Sequence, residues 1–162
     1  MLDQGVRGPL TLVTGPPGAG KTLLLASWLS ERKRPGTTAW LSLQRDDGRP
    51  GRFWQALLES IQAAGEAGLG TLAAESSPEQ PEFVAAFSNA VDALPGPLVL
   101  VLDDFHELRA PAVAEDVDAL LRYPPEKLHV VIASRADPRL SLHRLRVEGR
   151  LTELRAADLA FT

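Results

Sequence analysis

No cysteine occurs among the 162 residues of this chain, which excludes disulfide staples, thiolate-bound zinc and thiol catalysis together. The absence fits a reducing compartment, and a cytoplasmic location is the expectation. Histidine is scarce too: His106, His129 and His143 lie too far apart for a local metal motif. No apolar run approaches the roughly 20 residues that span a bilayer, and the N-terminus lacks both a basic segment and a sustained apolar one. Membrane association is therefore not expected. The 17 lysines and arginines are scattered and outnumbered by 21 aspartates and glutamates, leaving a net charge of -4. A chain that is acidic overall, with no basic block, carries no electrostatic footprint for nucleic acid.

What is present is the composition of a folded protein. Hydrophobic residues make up 44% and charged residues 23%, enough apolar surface to bury a core. The length suits one domain spanning 1–162 and is short for two.

Strand and helix signals alternate along the chain. Pro9 to Thr14 is a β-prone run that ends at a glycine-rich loop, and Lys21 to Lys33 carries Leu24, Leu25, Trp28 and Leu29 at helical spacing. Arg34-Pro35-Gly36 breaks that helix, and Ala39 to Leu43 reads as a second buried strand, followed by a polar loop from Gln44 to Gly51. Phe53 to Ala64 and Pro81 to Leu94 each place their apolar residues on one helical face, whereas Gly65 to Gln80 has no firm period. Leu98 to Leu102 is continuously apolar, as a parallel strand covered on both faces must be, and it stops at Asp103-Asp104. A helix containing Val113, Val117, Leu120 and Leu121 follows, then a buried strand from Leu128 to Ala133 and a fifth from Arg150 to Leu154. This alternation predicts an α/β fold with a parallel sheet of about five strands and ligands at the strands' carboxyl ends.

The chemistry concentrates at three of those ends. Gly15-Pro16-Pro17-Gly18-Ala19-Gly20-Lys21-Thr22, continued by Leu23, is a complete G-x-x-x-x-G-K-[ST] loop between a strand and a helix. Its glycines let successive N–H groups turn inward on a phosphate chain, and the helix that follows adds its positive dipole end. Lys21 supplies a mobile charge for the β- and γ-phosphates, and the Thr22 hydroxyl is a hard oxygen suited to Mg²⁺. ATP or ADP with Mg²⁺ is thus the expected ligand. At the second end, Asp103 is assigned to the metal and Asp104 to the attacking water; taken alone, the pair also reads as a turn after a core strand. At the third, Ser134-Arg135 would approach the γ-phosphate if its strand lies beside the loop strand, where a guanidinium distinguishes ATP from ADP. Otherwise Arg135 is a solvated surface residue. Lys21, Asp104 and Arg135 are the catalytic candidates; His106, close after the acid pair, could approach the nucleotide, but a loop histidine making a structural hydrogen bond is the favoured reading.

Beyond the loop, Ala39 to Leu43 with Arg52-Phe53-Trp54, Leu100 to His106, Leu128 to Pro138 and Leu151 to Thr162 resemble the nucleotide-binding domain of STAND ATPases, signal-transduction ATPases with numerous domains. The likeness is to the large ATP-binding LuxR-type transcriptional regulators similar to the maltose-regulon activator. The resemblance implies a P-loop NTPase three-layer sandwich of the additional-strand type, order 5-1-4-3-2, with the Ser134 strand inserted between the loop strand and the Asp103 strand. It also implies an ATP/ADP switch that governs self-association and, through domains elsewhere, transcription. Within it Arg135 corresponds to the γ-phosphate sensor and Asp104 to the second acid of the metal-binding strand. Gln44 stands where the family usually has an acid, with Asp46 and Asp47 displaced beyond it. The chain starts just before the first strand and stops where the family's helical lid would begin, so an excised domain of a larger regulator is expected. Two other readings stay open: a P-loop small-molecule kinase and a non-hydrolytic ATP-binding clamp.

Overall fold

The computed structural model describes residues 8–18, 20–31, 36–69, 72 and 76–155. Ala19, the helix break at Arg34-Pro35, part of the weakly periodic segment and the resemblance beyond Arg155 lie outside the described residues. Five parallel strands, β1 (Leu10–Thr14), β2 (Thr37–Ser42), β3 (Leu98–Asp103), β4 (Leu128–Ser134) and β5 (Leu151–Leu154), form one sheet. Their order is β2-β3-β4-β1-β5, the 5-1-4-3-2 arrangement expected from the resemblance.

Strand alternation divides the core between two faces. On one, Leu10, Leu12, Leu98, Leu100, Leu102, Val130 and Ile132 pack beneath three helices, α2 (Pro50–Ala63), α3 (Glu82–Asp92) and α4 (Pro111–Arg122). On the other, Val13, Val99, Val101, Val131 and Ala133 meet Leu25 and Trp28 of α1 (Lys21–Glu31). Proline opens both α2 and α4, where its missing N–H costs nothing and its fixed φ suits the first turn. Trp54 is fully buried edge-on against Phe83, with 5.0 Å between ring centroids, and its indole N–H donates to Asp116 Oδ2 at 2.9 Å. That bond satisfies the one polar atom of a buried ring and ties α2 to α4.

Two stretches differ from their predicted form. The polar segment Gln44 to Gly51 is not an open loop: Arg45–Gly48 makes a 3-10 turn and α2 already starts at Pro50. The Asp47 carboxylate accepts the Gln44 N–H at 2.8 Å and is buried, so the displaced acid closes this turn. A short helix, α5 (His143–Val147), precedes β5; five residues are too few to carry a helical period. Among the described residues, no helix is long and apolar enough to cross a membrane.

Candidate functional site

The carboxyl ends of β1, β3 and β4 meet because β4 lies between β1 and β3. Thr14 and Ser134 are register partners, and the Gly15 N–H donates to the Ser134 carbonyl at 3.2 Å. The condition set for Ser134 and Arg135 is thereby met: their strand borders the loop strand. Past Gly15 the loop turns at Gly18 (φ 83°) and Gly20 (φ 87°). A Cβ on either would meet open space, so glycine serves here for its backbone angle and not for room. The Gly20 carbonyl accepts the Leu24 N–H at 2.8 Å and begins α1, leaving the earlier N–H groups of the helix at the site.

Lys21 is 9% exposed, and its ammonium folds over the loop, donating to the Gly15 carbonyl at 2.5 Å and the Pro16 carbonyl at 3.1 Å. Thr22 opens onto the carboxyl edge of β3, where its hydroxyl donates to Asp103 Oδ2 at 2.9 Å. Asp103 is 2% exposed, and its other oxygen accepts the Asp104 N–H at 2.9 Å. Two hard oxygen groups are therefore adjacent beside the loop, a donor set that fits a small divalent cation completing its shell with phosphate and water. Leu23 is 75% exposed and contributes no side chain to this cluster.

Asp104 has φ 57° and ψ 39°, a left-handed conformation that aspartate tolerates better than bulkier residues. The turn it enters, Phe105–Glu107, is closed by the Glu107 N–H on the Asp104 carbonyl at 2.9 Å. The Asp104 carboxylate is half exposed, open to the water a general base needs. Arg135 is exposed, and its backbone N–H donates to His106 Nδ1 at 3.2 Å. His106 thus makes the structural hydrogen bond expected of it.

One rim residue went unread in the sequence. Arg155 donates to Thr14 Oγ1 at 2.9 Å and to Glu153 Oε1 at 3.0 Å, and it also pairs with Asp137. The bond to Asp137 is the first cause raising the Arg155 pKa. Glu153 also accepts from Arg146 at 2.7 Å, which holds its carboxyl below the usual range against the opposing effect of burial. The signal for Arg155 was the pairing of β5 with β1: with Val13 opposite Leu154, the next residue falls beside Thr14.

Known proteins are similar to this chain in sequence and in fold. The HTH-type transcriptional regulator MalT of Cronobacter sakazakii is 35% identical over 160 residues, covering 94% of this chain and 17% of the relative. MalT of Yersinia pestis is 37% identical over 164 aligned residues, covering 99% of this chain and 18% of the relative. The chain therefore spans less than a fifth of these relatives' length, and the similarity bears out the resemblance read from the motifs. Among solved structures, Aeropyrum pernix ORC1, determined in complex with DNA, aligns with a TM-score of 0.57 and 19% identity over 95% of this chain and 41% of that one. Cdc6p of Pyrobaculum aerophilum aligns with a TM-score of 0.54 and 20% identity over 94% of this chain and 42% of that one; at such identities the likeness is one of fold. The sequence pattern of the AAA ATPase domain matches residues 1–133, and with its glycine loop and strand order this chain belongs to the AAA ATPase domain family.

Proposed function

We propose that residues 1–162 form one nucleotide-binding domain that binds ATP with Mg²⁺ and hydrolyses it slowly, as the switch of a larger regulator. The observation that carries this reading is the 2.9 Å bond from Thr22 to Asp103, which joins the phosphate loop to the acidic strand end. Gly15 to Thr22, with Leu23 at the edge, surround the phosphates. The Lys21 ammonium exchanges two neutral carbonyls for charged phosphate oxygens, a stronger set of acceptors. Thr22 and Asp103 would hold Mg²⁺, which neutralises charge on the phosphate oxygens. Asp104, half exposed at the same strand end, orients the attacking water and accepts its proton. Arg135, with an exposed side chain beside the loop strand, meets the γ-phosphate and stabilises charge as the bond breaks.

The names of the relatives support a role in transcriptional control, exerted through parts of a longer protein. The proposal includes self-association of that protein when ATP is bound. It assigns no nucleic-acid binding to this domain, consistent with its net charge of -4, and locates the protein in the cytoplasm.

Single-turnover hydrolysis tests the reading. Asp104→Asn should keep ATP affinity within a few-fold and lower turnover about a hundredfold, the scale of losing an acid–base group. Equal turnover by wild type and variant would reject the catalytic role of Asp104. Undetectable turnover by both, with ATP still bound, would favour a non-hydrolytic clamp.

A further inference from the structure

The connection between β2 and α2 gathers positive charge that the phosphate loop does not use. Arg45 opens the 3-10 turn, Arg49 stands just before Pro50, and Arg52 lies in the first turn of α2. Together with Asp46, Gly48 and Ala110, these three arginines line one cavity of about 520 Å³ that includes no residue of the glycine loop. In a chain whose net charge is -4, three guanidiniums on one concave surface reverse the sign locally. Asp46 is the one carboxylate of the lining, which leaves it a surplus of two positive charges.

None of the three guanidiniums makes a hydrogen bond among the described residues. Arg45 Nε lies 4.0 Å from Glu107 Oε2 and Arg52 Nε lies 3.8 Å from Asp47 Oδ1, both beyond hydrogen-bond range. The two arginines are exposed, where pairs at such distances contribute little. Asp47 is moreover engaged by the Gln44 N–H at 2.8 Å. The Arg49 side chain has neither a hydrogen bond nor an ion pair among the described residues. Glu79 approaches the neighbouring Gly51, where an added Cβ would meet its Oε1 at 3.4 Å, and is not part of the lining. No acidic residue occupies the first turn of α2 or of α4, the helix that Ala110 precedes at the cavity wall. Three like charges on one surface repel one another, and an anion seated among them removes that repulsion.

We propose that this cavity binds the phosphate group of a small molecule, at a site separate from the glycine loop. Each guanidinium offers a planar fork of N–H donors that fits an oxyanion. The charge of the ligand follows from the lining, since a surplus of two matches the dianion of a phosphomonoester. Its shape follows from the number of arginines: a tetrahedral phosphate offers oxygens to donors from three directions, whereas a carboxylate offers two in one plane. The cavity is larger than a phosphate and within the range of small-molecule sites, so it has room for an organic body attached to that group. A long polyanion is opposed by the negative charge of the rest of the chain.

Nuclear magnetic resonance on the isotope-labelled 162-residue chain tests the site residue by residue. Inorganic phosphate and succinate are titrated separately at constant ionic strength and about pH 7.5, above the second pKa of phosphate. Phosphate should shift the amide signals of Gly48, Arg49, Arg52 and Ala110 saturably, with a dissociation constant of about 1–10 mM, and succinate should bind at least about tenfold more weakly. Arg49→Ala should weaken phosphate at these positions about tenfold or more, the scale of a hydrogen bond between charged groups, and leave any shifts at Gly15 to Thr22 as in wild type. Lys21→Ala should leave the shifts around Arg49 unchanged. Arg49→Gln, which keeps the stem of the side chain, should behave as Arg49→Ala does and repeats the test if the alanine variant misfolds. Phosphate shifts confined to Gly15 to Thr22, or shifts around Arg49 that never saturate or that persist in both Arg49 variants, would overturn the proposal. Succinate binding as tightly as phosphate would overturn the assigned ligand class.

Discussion

The hydroxyl of Thr22 and the carboxylate of Asp103 meet at 2.9 Å although 81 positions separate them in the chain. If this pair holds Mg²⁺, Asp103→Asn should remove the Mg²⁺-dependent part of ATP affinity while leaving binding in excess chelator unchanged. Asparagine keeps the shape, with Oδ1 accepting the Asp104 N–H and the amide NH₂ donating to the Thr22 hydroxyl oxygen, so the fold should persist. Calorimetric titration of ATP with and without Mg²⁺ measures both quantities; an unchanged Mg²⁺ dependence would move the metal to other ligands.

Arg135→Ala should weaken ATP about ten- to a hundredfold more than ADP, the range for a charge-assisted hydrogen bond to a phosphate oxygen. The relevant measurement is the ratio of the two dissociation constants. Equal losses for both nucleotides would return Arg135 to the solvated surface.

The parts of this site that the chain spells out locally were legible. Gly15 to Thr22 is contiguous, and its glycines and lysine carry their reasons within eight positions. The apolar runs ending at Asp103 and Ser134 were equally plain, because a strand buried on both faces is apolar along most of its length; the one ionisable side chain within them, His129, is buried with its ring paired to Thr11 and the Gly8 carbonyl. Convergence was not legible from local pattern: nothing near Thr22 points to Asp103, and nothing near His106 points to Arg135. Both contacts depend on β4 lying between β1 and β3, an order that came from the resemblance and not from periodicity. The turn at Arg45–Gly48 was hidden because its closing bond, from the Gln44 N–H to Asp47, looks in sequence like the ordinary polarity of a loop.

The ion pairs on the rim predict a pH dependence. Glu153 is held below the ordinary carboxylate pKa first by its hydrogen bond from Arg146. A depressed folded-state pKa contributes stability above the ordinary value of about 4.3, and that contribution disappears as pH falls through the lower, folded value. Glu153→Gln should therefore cost about 0.5–1 kcal/mol near neutral pH, the scale of a partly exposed pair. The difference from wild type should shrink as pH drops below the carboxylate range. Urea unfolding across that range reads the sign directly, and a penalty independent of pH would remove the ion pair as its cause.

The central claim is that the glycine loop binds the phosphates of ATP through Lys21. Lys21 is buried against the loop's own carbonyls and not within the hydrophobic core, so Lys21→Ala should leave the domain folded. Titration of a fluorescent ATP analogue into wild type and Lys21→Ala, with circular dichroism on the same samples, is the most direct measurement. The account predicts near-complete loss of binding by a folded variant; unchanged affinity in that folded variant would contradict it.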